Sequence, residues 1–232
     1  METIKDIKRI LWHEMGHFFI DLLEIKINGN FYVENIWISY VKDATSDHKW
    51  AGGVKTLPEI KWEAIVKDIE KTSFTLLNLI SGCLFQTYFL KEVLKENVNF
   101  YDCFCFHNSC AGGGDIRKFH KIINLIRDIY GENLSLRIFL EKELIEAYYM
   151  NFLKSKIFLN STNELVNRYS NTILEKFTQY EDKFKFHYSF KENRMESLKA
   201  EAKTILNKSS FELDILALKE KIKQNIHSKK NN

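Results

Sequence analysis

Along residues 3–25, Ile4, Ile7, Leu11, Met15, Phe18 and Leu22 recur at three- and four-residue steps, the spacing of one helix face. A second stripe, Ile10, His13, His17 and Ile20, lies on the other side, so this helix is expected inside the protein. Asn28-Gly29-Asn30 then supplies a turn. From Phe31 to Val41 the pattern becomes strand-like, with Val33, Ile36, Ile38 and Tyr40 among aromatics. A polar loop over Asp43–Lys49 leads to Trp50–Leu57, a second strand around Gly52-Gly53. Pro58 closes that strand and can open a helix through about Lys71. Ser73 reads as the N-cap of a strongly apolar helix, Phe74–Leu94, with the small residues Gly82 and Cys83 at its middle.

The rest of the pattern is helical apart from an irregular loop over Asn97–Gly114. Asp115 opens a helix to Tyr130 that Gly131 stops; Leu134–Phe158 and Thr162–Tyr180 read as two long helices. Beyond Lys183 the chain is more charged, with helices near Glu192–Leu206 and Ser210–Ile226. The expected fold class is mainly α with a small β element (α+β), a domain over 1–180 and a charged helical extension over 181–232. Composition agrees: 9 Gly and 1 Pro in 232 residues leave few helix breakers, and 45% hydrophobic residues argue against disorder. A net charge of +3 gives no case for nucleic acid as a partner. Four Cys, three of them between 103 and 110, do not make a secreted disulfide framework. The N-terminus has no apolar signal core, and the most apolar stretch, Phe74–Leu90, is broken by polar residues. The expectation is a cytoplasmic protein without a membrane anchor.

The chemistry is concentrated in His13-Glu14-Met15-Gly16-His17, a complete H-E-x-x-H. On a helix, residues four apart point to one side, so both imidazoles can reach one Zn²⁺. Glu14, about 100° further round, can reach a metal-bound water as general base without being a ligand. Against this stands the plainer reading of two core histidines, which would be costly to bury unpartnered.

A catalytic zinc needs a third protein ligand and an open position. The extended motif with a further Gly and His fails, because Ile20 and Leu23 occupy those places. The Phe74–Leu90 helix has no acidic residue. Asp115, after Gly112-Gly113-Gly114, is the remaining candidate; it also fits an ordinary helix N-cap, but the Gly run is more than a cap requires.

Taken together, the H-E-x-G-H helix, the strand, the long small-residue helix and the GGGDI start of a later helix resemble the peptidase domain of FtsH-type AAA proteases. LLNLISGCLFQTYF (76–89) resembles that family's middle helix, and residues 145–177 its C-terminal helical pair. The resemblance spans about residues 10–180. It implies a zincin-like active-site helix with a C-terminal helical bundle, zinc held by His13, His17 and Asp115, Glu14 as the catalytic base, and a protein or peptide substrate. It also implies rings, although nothing in the chain requires a homo-oligomer. The departures are equally plain. No Walker A sequence occurs, so the implied proteolysis is ATP-independent, and Gln86 stands near a position the family usually keeps acidic.

Two further features bear on the site. Cys103, Cys105, His107 and Cys110 could hold a second zinc, gate the first, or belong to a reduced aromatic loop; their spacing is not that of common zinc sites. The strand Phe31–Val41 could offer an edge to an extended substrate through Val33, Ile36, Trp37 and Ile38, or be an ordinary core strand. The leading expectation is a zinc metallopeptidase. The alternatives are an ImmA/IrrE-like regulatory protease that cuts one partner, and a zinc-bound interaction protein without hydrolytic activity.

Overall fold

A computed structural model describes residues 2–29, 31–42, 49–58, 62–106, 112–131, 133–180 and 184–227. Its fold is mainly helical with a small antiparallel sheet, the class that the sequence pattern predicts. Helix α1 (Glu2–Asn28) is its axis. Both of its apolar stripes are covered: Ile7, Leu11, Met15, Phe18 and Leu22 are buried, and so are Ile10 and Ile20 on the other side.

Strands β1 (Tyr32–Val41) and β2 (Trp50–Leu57) form the expected hairpin pair, with Ile36 opposite Val54 and Ile38 opposite Gly52. The sheet order is β2-β1-β3, so β1 is its middle strand. The third strand, β3 (Lys185–Phe190), comes from the charged C-terminal segment and pairs antiparallel with β1. Phe186, Tyr188 and Phe190 alternate inward beside Val33, Ile36 and Ile38. Of the two readings of β1, the ordinary core strand holds, because β1 is paired on both sides; the edges of the sheet are β2 and β3.

Helix α2 (Trp62–Lys67) is short, because the chain breaks at Asp68. Asp68 caps α3 (Ile69–Tyr88), accepting from the backbone N–H groups of Glu70 and Lys71. The expected cap Ser73 instead lies inside the helix, its hydroxyl donating to the Ile69 carbonyl. The α3 helix runs on through a π-helical turn, Phe89–Val93. Ile69–Val93 is long and apolar enough to cross a membrane, yet 83% of its most apolar window is buried inside this fold. A single turn, α4 (Phe100–Cys103), interrupts the expected loop before α5 (Gly113–Tyr130). Then follow α6 (Leu134–Ile138), a π-helical turn over Phe139–Glu143 and α7 (Leu144–Lys154); the single helix expected over Leu134–Phe158 instead breaks at Ser155, and Phe158 belongs to the next helix. Helices α8 (Lys156–Gln179), α9 (Asn193–Asn207) and α10 (Phe211–His227) complete the chain.

Phenylalanine does much of the joining. Phe158 of α8 stacks on Phe211 of α10 at 4.0 Å between ring centroids, and Phe19 of α1 meets Phe158 edge-on at 4.7 Å. Phe85 of α3 lies 4.5 Å from Phe152 of α7. These rings join α1 to α3, α7, α8 and α10, and aromatic pairs add to the area term.

In front, α1 and α3 cross closely. A Cβ at Gly16 would stand 2.5 Å from the Ser81 carbonyl oxygen, a backbone atom that cannot swing aside. Gly16→Ala should therefore destabilise the fold by about 1–3 kcal/mol through overpacking. Gly114→Ala, whose Cβ meets nothing within 4 Å, should not. Thermal unfolding checks the pair; equal midpoints would show that the crossing yields to a methyl group.

Candidate metal centre

Residues 78, 82 and 86 of α3 are spaced by four, so Asn78, Gly82 and Gln86 share one face of the helix. That face lies against His13 and His17 of α1. The His13 Nδ1 is 3.1 Å from Gln86 Oε1, and the His17 Nδ1 is 2.8 Å from Asn78 Oδ1 and 3.0 Å from the Asn78 carbonyl. Between them Gly82 leaves room: a Cβ there would lie 2.4 Å from His17 Nε2 and 2.8 Å from His13 Nε2.

The amide of Asn78 fixes a tautomer. Its Nδ2 donates to the His17 carbonyl (3.2 Å) and to Asp21 Oδ1 (2.7 Å), which leaves its Oδ1 as acceptor. The His17 Nδ1 must then carry a proton, which leaves its Nε2 to bind either a metal ion or a second proton. The two Nε2 atoms stand 3.1 Å apart.

Asp115 closes the triangle. Its Oδ2 lies 3.1 Å from His13 Nε2 and 3.4 Å from His17 Nε2. The N-cap of α5 is Gly112, so Asp115 is a residue of the first turn and not the cap. Gly112 is needed for space, because a Cβ there would fall 2.1 Å from Cys83 Sγ and 2.6 Å from the Cys103 carbonyl oxygen. That contact seats the start of α5 against α3 and aims Asp115 at the histidines.

Three acceptor atoms at mutual distances of 3.1–3.4 Å repel one another unless a cation or a proton stands between them. Ligands about 2.0–2.1 Å from a tetrahedral ion lie about 3.3 Å from each other, so the triangle has the size of a metal site. A buried His13–Cys83–Asp115 group, with ligand atoms within 4.8 Å of one another, could also hold a metal ion. Cys83 was not singled out as a ligand in the sequence; its thiol donates to the Cys103 carbonyl at 3.3 Å. Of the Cys-rich loop, Cys103 and Cys105 are described, whereas His107 and Cys110 lie outside the described residues.

The electrostatics of the group tell the same story. Burial favours a neutral His17, but the charge and hydrogen bond of Asp115, with Glu14 behind them, outweigh it and raise His17 to about 10. Asp115 is pulled the other way. Burial raises it, yet the His17 charge and hydrogen bonds to both imidazoles hold it well below the usual carboxylate range. The pocket thus attracts positive charge strongly.

Glu14 is buried beside this group in a cleft of about 750 Å³. Burial raises its carboxyl, with Asp115 adding to the shift and His13 and His17 opposing it. A Cβ at Gly52 would lie 2.9 Å from Glu14 Oε1, so the carboxylate abuts the backbone of β2. Consecutive residues 50–54 of β2 line the cleft, so the edge of that strand borders it. Further along, Asp21 and Glu24 of α1 line the wall with Trp62, Ile65 and Leu79. Burial raises Asp21 to about 7.

Glu24 yields a pH prediction. Burial, helped by the charge of Asp21 and opposed by the nearby Asn28 amide, raises it from 4.5 to about 8. The folded state then binds more protons than the unfolded chain between those values, so stability is lost as pH rises through that window. Glu24→Gln should flatten the decline, read as the unfolding midpoint between about pH 5 and about pH 8. An undiminished decline would assign it to other groups.

No family model, curated protein or solved structure matches this chain.

Proposed function

We propose that this protein is a zinc-dependent peptidase that works without ATP, with His13, His17 and Asp115 as metal ligands and Glu14 as general base. The observation that carries the reading is the triangle of lone-pair atoms, 3.1, 3.1 and 3.4 Å on its sides, with an outer partner already on each Nδ1. Two imidazoles and one carboxylate suit zinc and leave a fourth position for substrate or water. The resemblance to FtsH-type peptidase domains rests on the same motifs and adds to the reading without a matching relative behind it.

When bound, the ion would polarise a peptide carbonyl and acidify water. The residues of the chain do the rest. Glu14, raised by burial, is suited to accept a proton from the attacking water and to pass it to the leaving amine. The border of β2 can hold an extended substrate by main-chain hydrogen bonds beside that carboxylate. Gly52 lets β2 approach α1 this closely, since a Cβ there would strike Ile10 and Glu14.

One observation favours a second reading. His13, Cys83 and Asp115 form a buried group that could itself hold an ion, and an ion held in such a closed, thiol-bearing site would be structural. The protein would then hold zinc without hydrolysing anything.

Metal content and hydrolysis of a denatured protein separate the two. Asp115→Ala should lose most of the zinc that the wild type carries. Glu14→Gln should keep the metal and lose about 10²–10⁴-fold in hydrolysis, the usual worth of a general base. Zinc without hydrolysis in the wild type would favour the closed site; no zinc at all would end both readings.

A further inference from the structure

In many histidine metal sites the outer partner of the imidazole is a carboxylate, which draws on the Nδ1 proton and makes Nε2 a stronger ligand. Here both described side-chain partners are amides, Gln86 for His13 and Asn78 for His17. They come from one face of α3, two turns apart, with Gly82 between them under both Nε2 atoms. Gln86 is buried, and Asn78 is locked by its two donated hydrogen bonds. An amide oxygen orients an imidazole as well as a carboxylate does, but it brings no charge.

We propose that Gln86 and Asn78 are positioning residues that aim the Nε2 atoms of His13 and His17 at one point without adding charge, so that a divalent cation at this site keeps more of its positive charge than a carboxylate-backed site would leave it. The inference rests on the metal-site reading above. Asp115 is the one anionic member of the lone-pair triangle, and the outer shell adds none through Nδ1. Such a site exchanges its metal more readily, and the unneutralised charge makes it a stronger Lewis acid toward substrate. The isosteric change Gln86→Glu would convert it to the carboxylate-backed kind with little change of volume.

Two variants test this, Gln86→Glu and Gln86→Leu, each compared with the wild-type chain. The readouts are zinc affinity by chelator competition and the absorption spectrum of the Co²⁺-loaded protein. Near-ultraviolet circular dichroism checks that each variant is folded. Gln86→Leu should weaken zinc binding by about 10–100-fold, the usual cost of losing an outer partner. Gln86→Glu should bind zinc more tightly than the wild type and alter the Co²⁺ spectrum, since a carboxylate draws on the Nδ1 proton and strengthens Nε2 as a ligand. Wild-type affinity in both variants, or equal weakening in both, would overturn the positioning role while leaving the metal site intact. A wild-type chain that binds neither zinc nor cobalt would overturn the metal-site reading and this inference with it.

Discussion

The close crossing of α1 and α3 is the contact on which the rest of the structure depends. It occurs where two glycines face each other's helices: Gly16 against the Ser81 carbonyl, Gly82 beneath the imidazoles of His13 and His17. Backbone so near backbone brings Gln86 and Asn78 within hydrogen-bond reach of the two Nδ1 atoms. The crossing is held from behind by the phenylalanines of α1, α3, α7, α8 and α10, and a core packed that densely transmits any shift. Beside it, Gly112 seats the start of α5 against Cys83 and the Cys103 carbonyl, so Asp115 arrives from a third element. The site is a by-product of how tightly three helices meet.

Charge sets the second constraint. Four carboxylates of one neighbourhood, Glu14, Asp21, Glu24 and Asp115, are drawn out of water, which for an isolated ion is expensive. They divide by what faces them. Asp115 looks directly at two imidazoles and stays ionised, whereas burial dominates for the other three and pushes them upward. A fold that places an ionised carboxylate and two imidazole lone pairs within 3.4 Å requires positive charge among them, supplied by a proton on His17 or by a metal ion.

Local signals carried much of this into the sequence. Helices α1, α5 and α8–α10 were legible because their apolar positions recur at helical spacing, and the β1–β2 pair because alternation replaces that spacing. The His13–His17 pair was legible for the same reason, since four residues on a helix is a geometric statement. Strand β3 was not. Its pairing partner β1 is about 150 residues away, and its charged surroundings mask a short alternation of Phe186, Tyr188 and Phe190. Cap chemistry also misled, because Asp68 outcompetes Ser73 by accepting from two orphan N–H groups at a break that periodicity does not mark.

Sequence alone determined the helical class and the two imidazoles on one side of α1, because each depends on residues within a few turns of one another; it made Asp115 a candidate by its place after three glycines and by the lack of other ligands. Tertiary structure decided that Asp115 meets both histidines, that β2 rather than β1 borders the cleft, and that Cys83 and Asn78 belong to the same neighbourhood. The four-residue spacing of Asn78, Gly82 and Gln86 was in the chain throughout. It acquires meaning only when α3 lies against α1, since a helix face has no partner until the fold supplies one.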